Sequence, residues 1–524
     1  MDKYYITTPI YYPSGRFHIG TAYTTILADV TKRYRKLRGY DAYMLTGLDE
    51  HGQKIETVAK ENGKTPQEHV DEMAKTTQDL WKRMNIQNDD FIRTTEPRHE
   101  KVVQEIFERL LNQGDIYMGE YEGWYCLPCE TYFTETQLID GKCPDCGREV
   151  RKMKEESYFF NMKKYQKRIE EFYEQNPDFI QPESRRVELL NNFIKPGIED
   201  LCVSRTSFDW GIKVKSNPKH VIYVWLDALT NYITALGYMS EDESKFNKYW
   251  PADLQIIGKD IIRFHGIYWP IFLMALDLPL PKKIYAHGFI SIREGKMSKS
   301  KGNIIYPEQL LDRYGLDATK YYLLREFQFD QDMTVTPENF VNRYNGDLAN
   351  DLGNLVNRTI GMVNKYFGGK FDSSDTKPTE FDEDLKALCI ESAKEAEDCI
   401  ENIHYSNSLE KIWKIVSAAN KYIDDTKPWV LSKSDNPEDK QKLTAVMTNL
   451  IEALRIVAIL IQPFMDETAN KIFEYLNIQE RDWNSCHEFN CKRGEIQVLN
   501  NTQPLFARLD VAEETEYIES LIKG

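Results

Sequence analysis

The sequence has little of what marks several protein classes. Its 524 residues hold only nine cysteines. The N-terminus (MDKYYITTPIYY) has no basic start followed by an apolar segment and a small-residue cleavage site, so no secretory leader is expected. Long uncharged apolar runs are also missing. The longest apolar stretch, near Leu450–Met465, contains Glu452 and Arg455, and no membrane span is expected. Basic residues are in deficit: 67 Lys and Arg against 83 Asp and Glu leave a net charge of −16. That balance argues against indiscriminate coating of nucleic acid but leaves room for a local basic groove. Internal repeats and long low-complexity tracts are also missing. With 41% hydrophobic and 12% aromatic residues, the chain can fill several cores, and disorder is excluded.

What is present is α/β patterning. Tyr4–Thr8 reads as a buried strand, followed by a turn at Pro13, Ser14 and Gly15. His18-Ile19-Gly20 leads into helical spacing through Ala22, Ile26, Leu27, Val30 and Tyr34, and Asp41–Leu48 reads as a second strand. From Gly119 to about Ile212 charges, cysteine pairs and short aromatic runs suggest an inserted module. Buried-strand patterns resume at Val221–Trp225, Leu254–Ile257 and Ile284–Ile290. Helical periodicity dominates from about Asn345, most clearly at Leu443, Val446, Met447, Leu450, Ile451, Leu454, Val457 and Ile461. Gly368–Glu380 is a polar linker candidate. The expected architecture is a split, Rossmann-like parallel-sheet domain (1–115 and 221–290). It carries a zinc-bearing insertion (116–220) and is followed by a linking segment (291–344) and an all-α bundle (345–524).

Four cysteines form two C-x-x-C pairs, Cys126/Cys129 and Cys143/Cys146, separated by residues 130–142. Each pair can aim two thiolates at one point, and two pairs complete a tetrahedral Zn²⁺ site. An all-cysteine set describes a closed, structural site. In a chain without a leader, paired cysteines at this spacing point to metal and a reducing compartment.

Two glycine-flanked motifs carry the chemistry. In Tyr12-Pro-Ser-Gly-Arg-Phe-His18-Ile-Gly20-Thr21, a histidine and a glycine lie between a strand and its helix. Backbone and imidazole can face phosphates there, although H-x-G alone fits a simple capping turn equally well. In Gly295-Lys296-Met297-Ser298-Lys299-Ser300-Lys301-Gly302, three lysines on small residues form a cationic clamp suited to a triphosphate. Taken by itself it is also a solvated basic loop.

Together, H-I-G-T and K-M-S-K-S resemble the two signatures of class I aminoacyl-tRNA synthetases. The resemblance narrows to the methionyl-tRNA synthetase family through Thr8–Tyr12 (TPIYY), Thr46–Gly52 (TGLDEHG), Tyr223–Ala228 (YVWLDA), Ile257–Asp260 (IGKD) and Thr426–Trp429 (TKPW). It runs over essentially the whole chain. In that family the first signature usually ends in a second histidine, where this chain has Thr21, a hydroxyl that can donate a hydrogen bond but carries no charge.

The resemblance implies a two-step reaction. L-Methionine and ATP give methionyl-adenylate and pyrophosphate, and the methionyl group then passes to the 3′-terminal adenosine of tRNA(Met), releasing AMP. It places His18, Thr21, Lys296 and Lys299 in catalysis. ATP is assigned to His18, Gly20, Thr21, Gly258, Lys259, Asp260 and Lys296 to Ser300, with Mg²⁺ on its phosphates. Methionine is assigned to Ile10, Tyr12, Asp49, Arg205, Trp225, Ala228, Leu229, Tyr232, Phe264 and His265. Asp49 would pair the substrate ammonium, and aromatic faces would take the thioether. Read without the resemblance, Asp49-Glu50-His51 could equally be a metal or acid–base cluster. Asn350, Asn354 and Arg358, at i, i+4, i+8, would read anticodon bases with Trp429 stacked on one.

Three other protein types share parts of this pattern. A leucyl, isoleucyl or valyl relative would carry a large editing insertion for which there is no room. A small nucleotidyltransferase would need neither zinc module nor bundle. An inactive tRNA-binding protein finds support only in Thr21. Some family members continue into a further dimerising domain after the region around Phe506–Leu509, so a cytoplasmic monomer is expected.

Overall fold

The structure is a computed structural model and describes all residues except 130, 134, 145, 293–294, 297–303, 329, 490–493, 501 and 524. Two compact units are formed. One comprises Met1–Lys32 with Asp41–Gly288, the other Arg33–Tyr40 with Phe289–Gly524.

The first unit is built on a six-stranded parallel sheet, whose strands we number along the chain: β1 Lys3–Tyr11, β2 Asp41–Leu48, β3 Asp90–Arg93, β4 Ile180–Gln181, β5 Leu254–Gly258 and β6 Ile284–His287. Their spatial order is β3-β2-β1-β5-β6-β4. β1 pairs on one side with β2 and on the other with β5, through Ile6↔Leu254 and Thr7↔Gln255. Both neighbours run parallel to it, so the strand order reverses at β1/β5 and a crevice opens beyond the carboxyl ends of these two strands. β1 can be central because six of its nine residues, including the run Tyr5–Pro9, are buried and none is exposed, as a strand covered on both faces requires. Pro9, which cannot donate to the ladder, sits where the β1–β2 register shifts between Thr7 and Ile10. The Thr8 and Thr46 hydroxyls join across that irregularity at 2.8 Å. Gly47 is dictated by sheet packing: a Cβ there would lie 2.0 Å from the Ile92 carbonyl oxygen.

Between β3 and β5 the chain builds an antiparallel sheet from Thr131–Phe133, Ile116–Cys126, Arg151–Phe160 and Leu201–Cys202, in that spatial order. One expectation fails locally. Val221–Trp225 is not a strand: only Val221–Ile222 pairs, antiparallel to Ser204–Arg205, and Val224–Leu229 is a short helix. A brief apolar run has no period of its own, and here the backbone turns helical at Val224.

The second unit is mainly helical. A small sheet is formed by Ile290–Ile292, Gly295–Lys296 and Met333–Val335, with the helices Pro307–Tyr314 and Leu316–Glu326 lying between its last two strands in the chain. Its longest helix, Pro437–Ile461, starts at an Asn436 cap whose side-chain oxygen accepts from the Glu438 N–H at 3.0 Å, with proline in the first turn. By length and composition this helix could cross a membrane, but its apolar window is wholly buried inside the fold. The charges inside it are matched: the Arg455 Nε donates to Glu452 at 3.0 Å, and an Arg455 Nη to the Ser485 hydroxyl at 2.8 Å. The Gly368–Glu380 segment is only partly a linker, since Lys370–Asp372 pairs with Glu495–Gln497.

Candidate active site

The carboxyl end of β1 leads into a turn closed by the Ser14 N–H on the Tyr12 carbonyl at 2.9 Å. His18 then caps the helix Ile19–Leu37, its carbonyl accepting from the N–H groups of Thr21 and Ala22 at 3.0 and 3.2 Å. The ring caps as well: the Gly20 N–H donates to His18 Nδ1 at 3.0 Å. An Nδ1 that accepts carries no proton, so the proton sits on Nε2. Gly20 is required for this arrangement, because a Cβ would lie 2.7 Å from His18 Cε1. The result is a helix N-terminus, the positive end of a peptide dipole, with an N–H-bearing imidazole beside it.

Across the crevice, β5 ends at Gly258 and continues as the turn Lys259–Ile261. A Cβ on Gly258 would meet the Asp260 carboxylate at 2.5 Å, so the glycine lets that carboxylate fold back over the strand end. β6 ends alongside at His287, paired with Gly258. His287 is buried; its Nδ1–H donates to the Gly288 carbonyl at 2.7 Å and its Nε2 accepts from the Thr24 hydroxyl at 2.7 Å. Burial holds its pKa below the ordinary histidine value. The motif reading assigned no role to Thr24 or His287. They stitch the first-signature helix to the end of β6, a contact that only the sheet order creates.

Another part of the first unit is aromatic. Trp225 and Phe264 stack face to face, with centroids 3.5 Å apart and planes 7° from parallel. Phe264 begins a π-helical segment, Phe264–Tyr268, a widened turn of the kind found at functional sites. The next residue, His265, is buried. Its Nδ1–H donates to the Ile261 carbonyl at 3.0 Å, and its Nε2 accepts from the Tyr232 hydroxyl at 2.6 Å. Burial, opposed only weakly by the Ile261 carbonyl, depresses its pKa to about 4, so the ring is neutral. Leu229, Tyr232 and Phe264 belong to one buried cluster, with Ile10 and Trp225 packed against it, and Ala228 is buried on the Trp225 helix. Asp49 is tied to the end of β1 by its N–H on the Tyr11 carbonyl at 3.0 Å. Tyr12 is half-buried, with the Lys54 ammonium 5.4 Å over its ring. Arg205 is fully buried, its guanidinium 4.3 Å over Tyr125 and bonded to the Ser207 hydroxyl at 3.0 Å.

The four paired cysteines converge. Their sulfurs lie within 4.8 Å of one another, with Cys126–Cys146 at 3.5 Å and Cys129–Cys143 at 3.8 Å. Zn–S bonds of about 2.3 Å in a tetrahedron place sulfurs about 3.8 Å apart, so the donor set fits that ion. Among the described residues it is the one group with metal-holding geometry.

Of the second signature, Lys296 pairs with Ser291 at the backbone, while Met297, Ser298, Lys299 and Ser300 lie outside the described residues. In the helical unit, Asn350 is exposed near the end of a π-helical segment, Tyr344–Gly353, and Asn354 opens the α-helix Asn354–Phe367. Leu348, Leu352, Leu355 and Val363 are buried on the other side. Arg358 donates to Asp424 at 2.8 Å. Trp429 is 40% exposed, which excludes a core role, and lines a groove of ≈ 960 Å³ together with Lys365, Lys433 and Lys440.

A doubly wound parallel sheet with a cysteine-bearing insertion and a helical C-terminal unit is the architecture of a class I aminoacyl-tRNA synthetase. Comparison with known proteins agrees. Residues 4–153 and 148–360 match the family model described as tRNA synthetases class I (M), and residues 373–520 match the anticodon binding domain of methionyl tRNA ligase. The chain is 55% identical over 534 residues to the methionine–tRNA ligase of Halalkalibacterium halodurans, covering 99% of this chain and 80% of that one. It is 54% identical over 539 residues to that of Bacillus subtilis, covering 100% and 80%. Among solved structures, Mycobacterium tuberculosis methionyl-tRNA synthetase in complex with methionyl-adenylate superposes with a TM-score of 0.91 at 40% identity, covering 97% of this chain and 100% of that one. The chain belongs to the methionyl-tRNA synthetase family.

A pH dependence follows from His265. Its folded-state value of about 4 lies below the ordinary 6.5, so the unfolded chain binds the extra proton across that window. The stability contributed by the neutral ring is complete above pH 6.5 and is lost as pH falls towards 4. Thermal melting at pH 7 and pH 5 should therefore show a larger drop for the wild type than for His265→Gln. Equal drops would refute a neutral, buried ring.

Proposed function

We propose that this chain attaches L-methionine to tRNA(Met) at the expense of ATP. The observation that carries the reading is the Trp225–Phe264 stack beside the neutral Tyr232–His265 pair, on the same sheet end as the His18-capped helix. Stacked aromatic faces suit a thioether, for which a sulfur–aromatic contact is worth about 0.3–1.5 kcal/mol. A neutral histidine held as an acceptor from Tyr232 presents no cation to the sulfur.

In the first step a methionine carboxylate oxygen attacks the α-phosphorus, and the bond to the bridging oxygen breaks with release of pyrophosphate. In the second, the terminal ribose hydroxyl attacks the activated carbonyl and AMP leaves. No side chain needs to become a covalent carrier; positioning and charge stabilisation suffice. Asp49 pairs the substrate ammonium, with Arg205 behind that pocket. Ile10, Tyr12, Trp225, Ala228, Leu229 and Phe264 shape the cavity around the side chain. His18, through Nε2–H, Gly20 and Thr21 meet the phosphates at the helix N-terminus, and ATP arrives with Mg²⁺ bound to it. Gly258, Lys259 and Asp260 hold the nucleoside, and Asp260 suits a ribose hydroxyl. Lys296 and Lys299 supply positive charge as pyrophosphate departs. Asn350, Asn354 and Arg358 read anticodon edges and Trp429 stacks on a base. The Asp424 carboxylate, already holding Arg358, keeps that guanidinium from drifting before RNA arrives.

Cys126, Cys129, Cys143 and Cys146 would hold one Zn²⁺ that closes the insertion as a structural cross-link. Metal analysis after gentle purification should find close to one zinc per chain; none would overturn this assignment.

The decisive assay is amino-acid-dependent exchange of pyrophosphate into ATP across all proteinogenic amino acids. Methionine should dominate, and dominance by another amino acid would refute the reading. In the same preparation Trp429→Ala should lower tRNA charging by about tenfold or more, the scale of losing one stacked base, with exchange nearly intact. Equal losses in both assays would make Trp429 structural.

A further inference from the structure

A buried ionic junction lies behind the amino-acid pocket. Asp227, fully buried on the short helix Val224–Leu229, accepts from two histidines. His51 Nδ1 lies 2.7 Å from Asp227 Oδ2 and His99 Nε2 2.7 Å from Oδ1. A carboxylate only accepts, so both of these nitrogens carry protons. His99 is itself fixed from the far side by the Thr234 hydroxyl at 2.7 Å. His51 Nε2 is 3.7 Å from the Glu100 carboxylate, and its ring meets Trp210 edge-on at 5.6 Å. Trp210 is fastened to the same segment by its Nε1–H on the Glu50 carbonyl and by the Gly52 N–H on its own carbonyl, at 2.6 and 3.1 Å. Burial alone would discharge His51, but the Asp227 carboxylate outweighs it and lifts the pKa to about 10. The junction is therefore an imidazolium–carboxylate pair sealed from water, with a second imidazole completing the carboxylate's partners. It is not a metal site. Each carboxylate oxygen is taken by one imidazole N–H, so the nitrogens face the carboxylate and not a common point.

The placement matters because of what lies two residues away on each side. His51 follows Asp49 by two residues, and Asp227 follows Trp225 by two, in a helix of six residues. A lateral shift at Asp227 therefore moves the indole directly, and a shift at His51 moves the Asp49 backbone. We propose that Asp227, held between His51 and His99, is a positioning residue that sets the spacing between Asp49 and Trp225 and so tunes recognition of the amino acid rather than of ATP. This rests on the reading that Asp49 and Trp225 grip the substrate. His18, Gly20, Gly258 and Asp260 lie on other segments and depend on the junction only through the sheet.

The test uses the full chain and methionine-dependent pyrophosphate exchange, with KM determined separately for methionine and for ATP. Asp227→Asn keeps the shape but removes the charge. His51→Gln keeps an N–H donor but removes the cation, and serves if Asp227→Asn does not fold. The expected result for either is a methionine KM raised by about tenfold or more with the ATP KM within about twofold of wild type, a split that general loss of fold does not give. Both KM values rising together, or only the active fraction falling, overturns the proposal. Asp49→Asn, run in parallel, separates the two readings. If it leaves the methionine KM unchanged, the assignment of the pocket fails. If it abolishes methionine-dependent exchange while Asp227→Asn and His51→Gln keep the wild-type methionine KM, the pocket stands and the positioning role fails.

Discussion

The parallel pairing of β1 with β5 is the constraint from which the site follows. Two segments, at Ile6 and Leu254, are held side by side by backbone hydrogen bonds at the centre of the sheet. Because β2 lies on the other side of β1, the chain reverses direction of winding there, the place where open parallel sheets hold their ligands. The His18 turn, the Gly258 turn, Asp49 and His287 all sit at the ends of these adjacent strands. A register slip of one residue would invert every side chain of β1 between the two faces of the sheet. The nearly continuous burial of β1 forbids that slip less than the fixed positions of Pro9 and Gly47 do, since each fits only one place in the ladder.

Histidines in the first unit are used in opposite protonation states, and in each case the neighbours decide. His265 has a carbonyl on one nitrogen and a phenol on the other, no carboxylate, and complete burial, so it stays neutral. His287 has the same kind of surroundings, a carbonyl and a hydroxyl. His51 is equally buried but faces a carboxylate at 2.7 Å and is charged. Desolvation pushes all three the same way, and only an ion of opposite sign at contact distance reverses it. The first unit thus keeps a cation at His51, beside Asp227, and a neutral ring at His265, beside Tyr232.

Much of this is legible in the amino-acid sequence. The cysteine quartet was readable because two C-x-x-C knuckles are local and have little other use at that spacing. Asp41–Leu48 was readable as a strand with the bounds observed, as the second strand of a strand–turn–helix–strand unit. The strand expected at Val221–Trp225 was not, because a short apolar segment carries no periodicity that separates strand from helix, and Trp225 instead lies in the first turn of a helix, stacked on Phe264. The π-helical turns at Phe264 and Tyr344 were likewise invisible, since one extra residue per turn leaves no compositional trace.

The sequence by itself determined the inventory: a family's two signatures, four metal-type cysteines, an aromatic set for a thioether, and amides and a tryptophan on the helical unit. Those are properties of residue type and spacing along the chain. Tertiary structure alone decided which nitrogen of His18 carries its proton, that His265 is neutral while His51 is charged, and that Asp227, His51 and His99 meet at all. Protonation and hydrogen-bond direction depend on the dielectric and on partners within a few ångströms, and the partners of Asp227 lie 176 and 128 residues away in the chain.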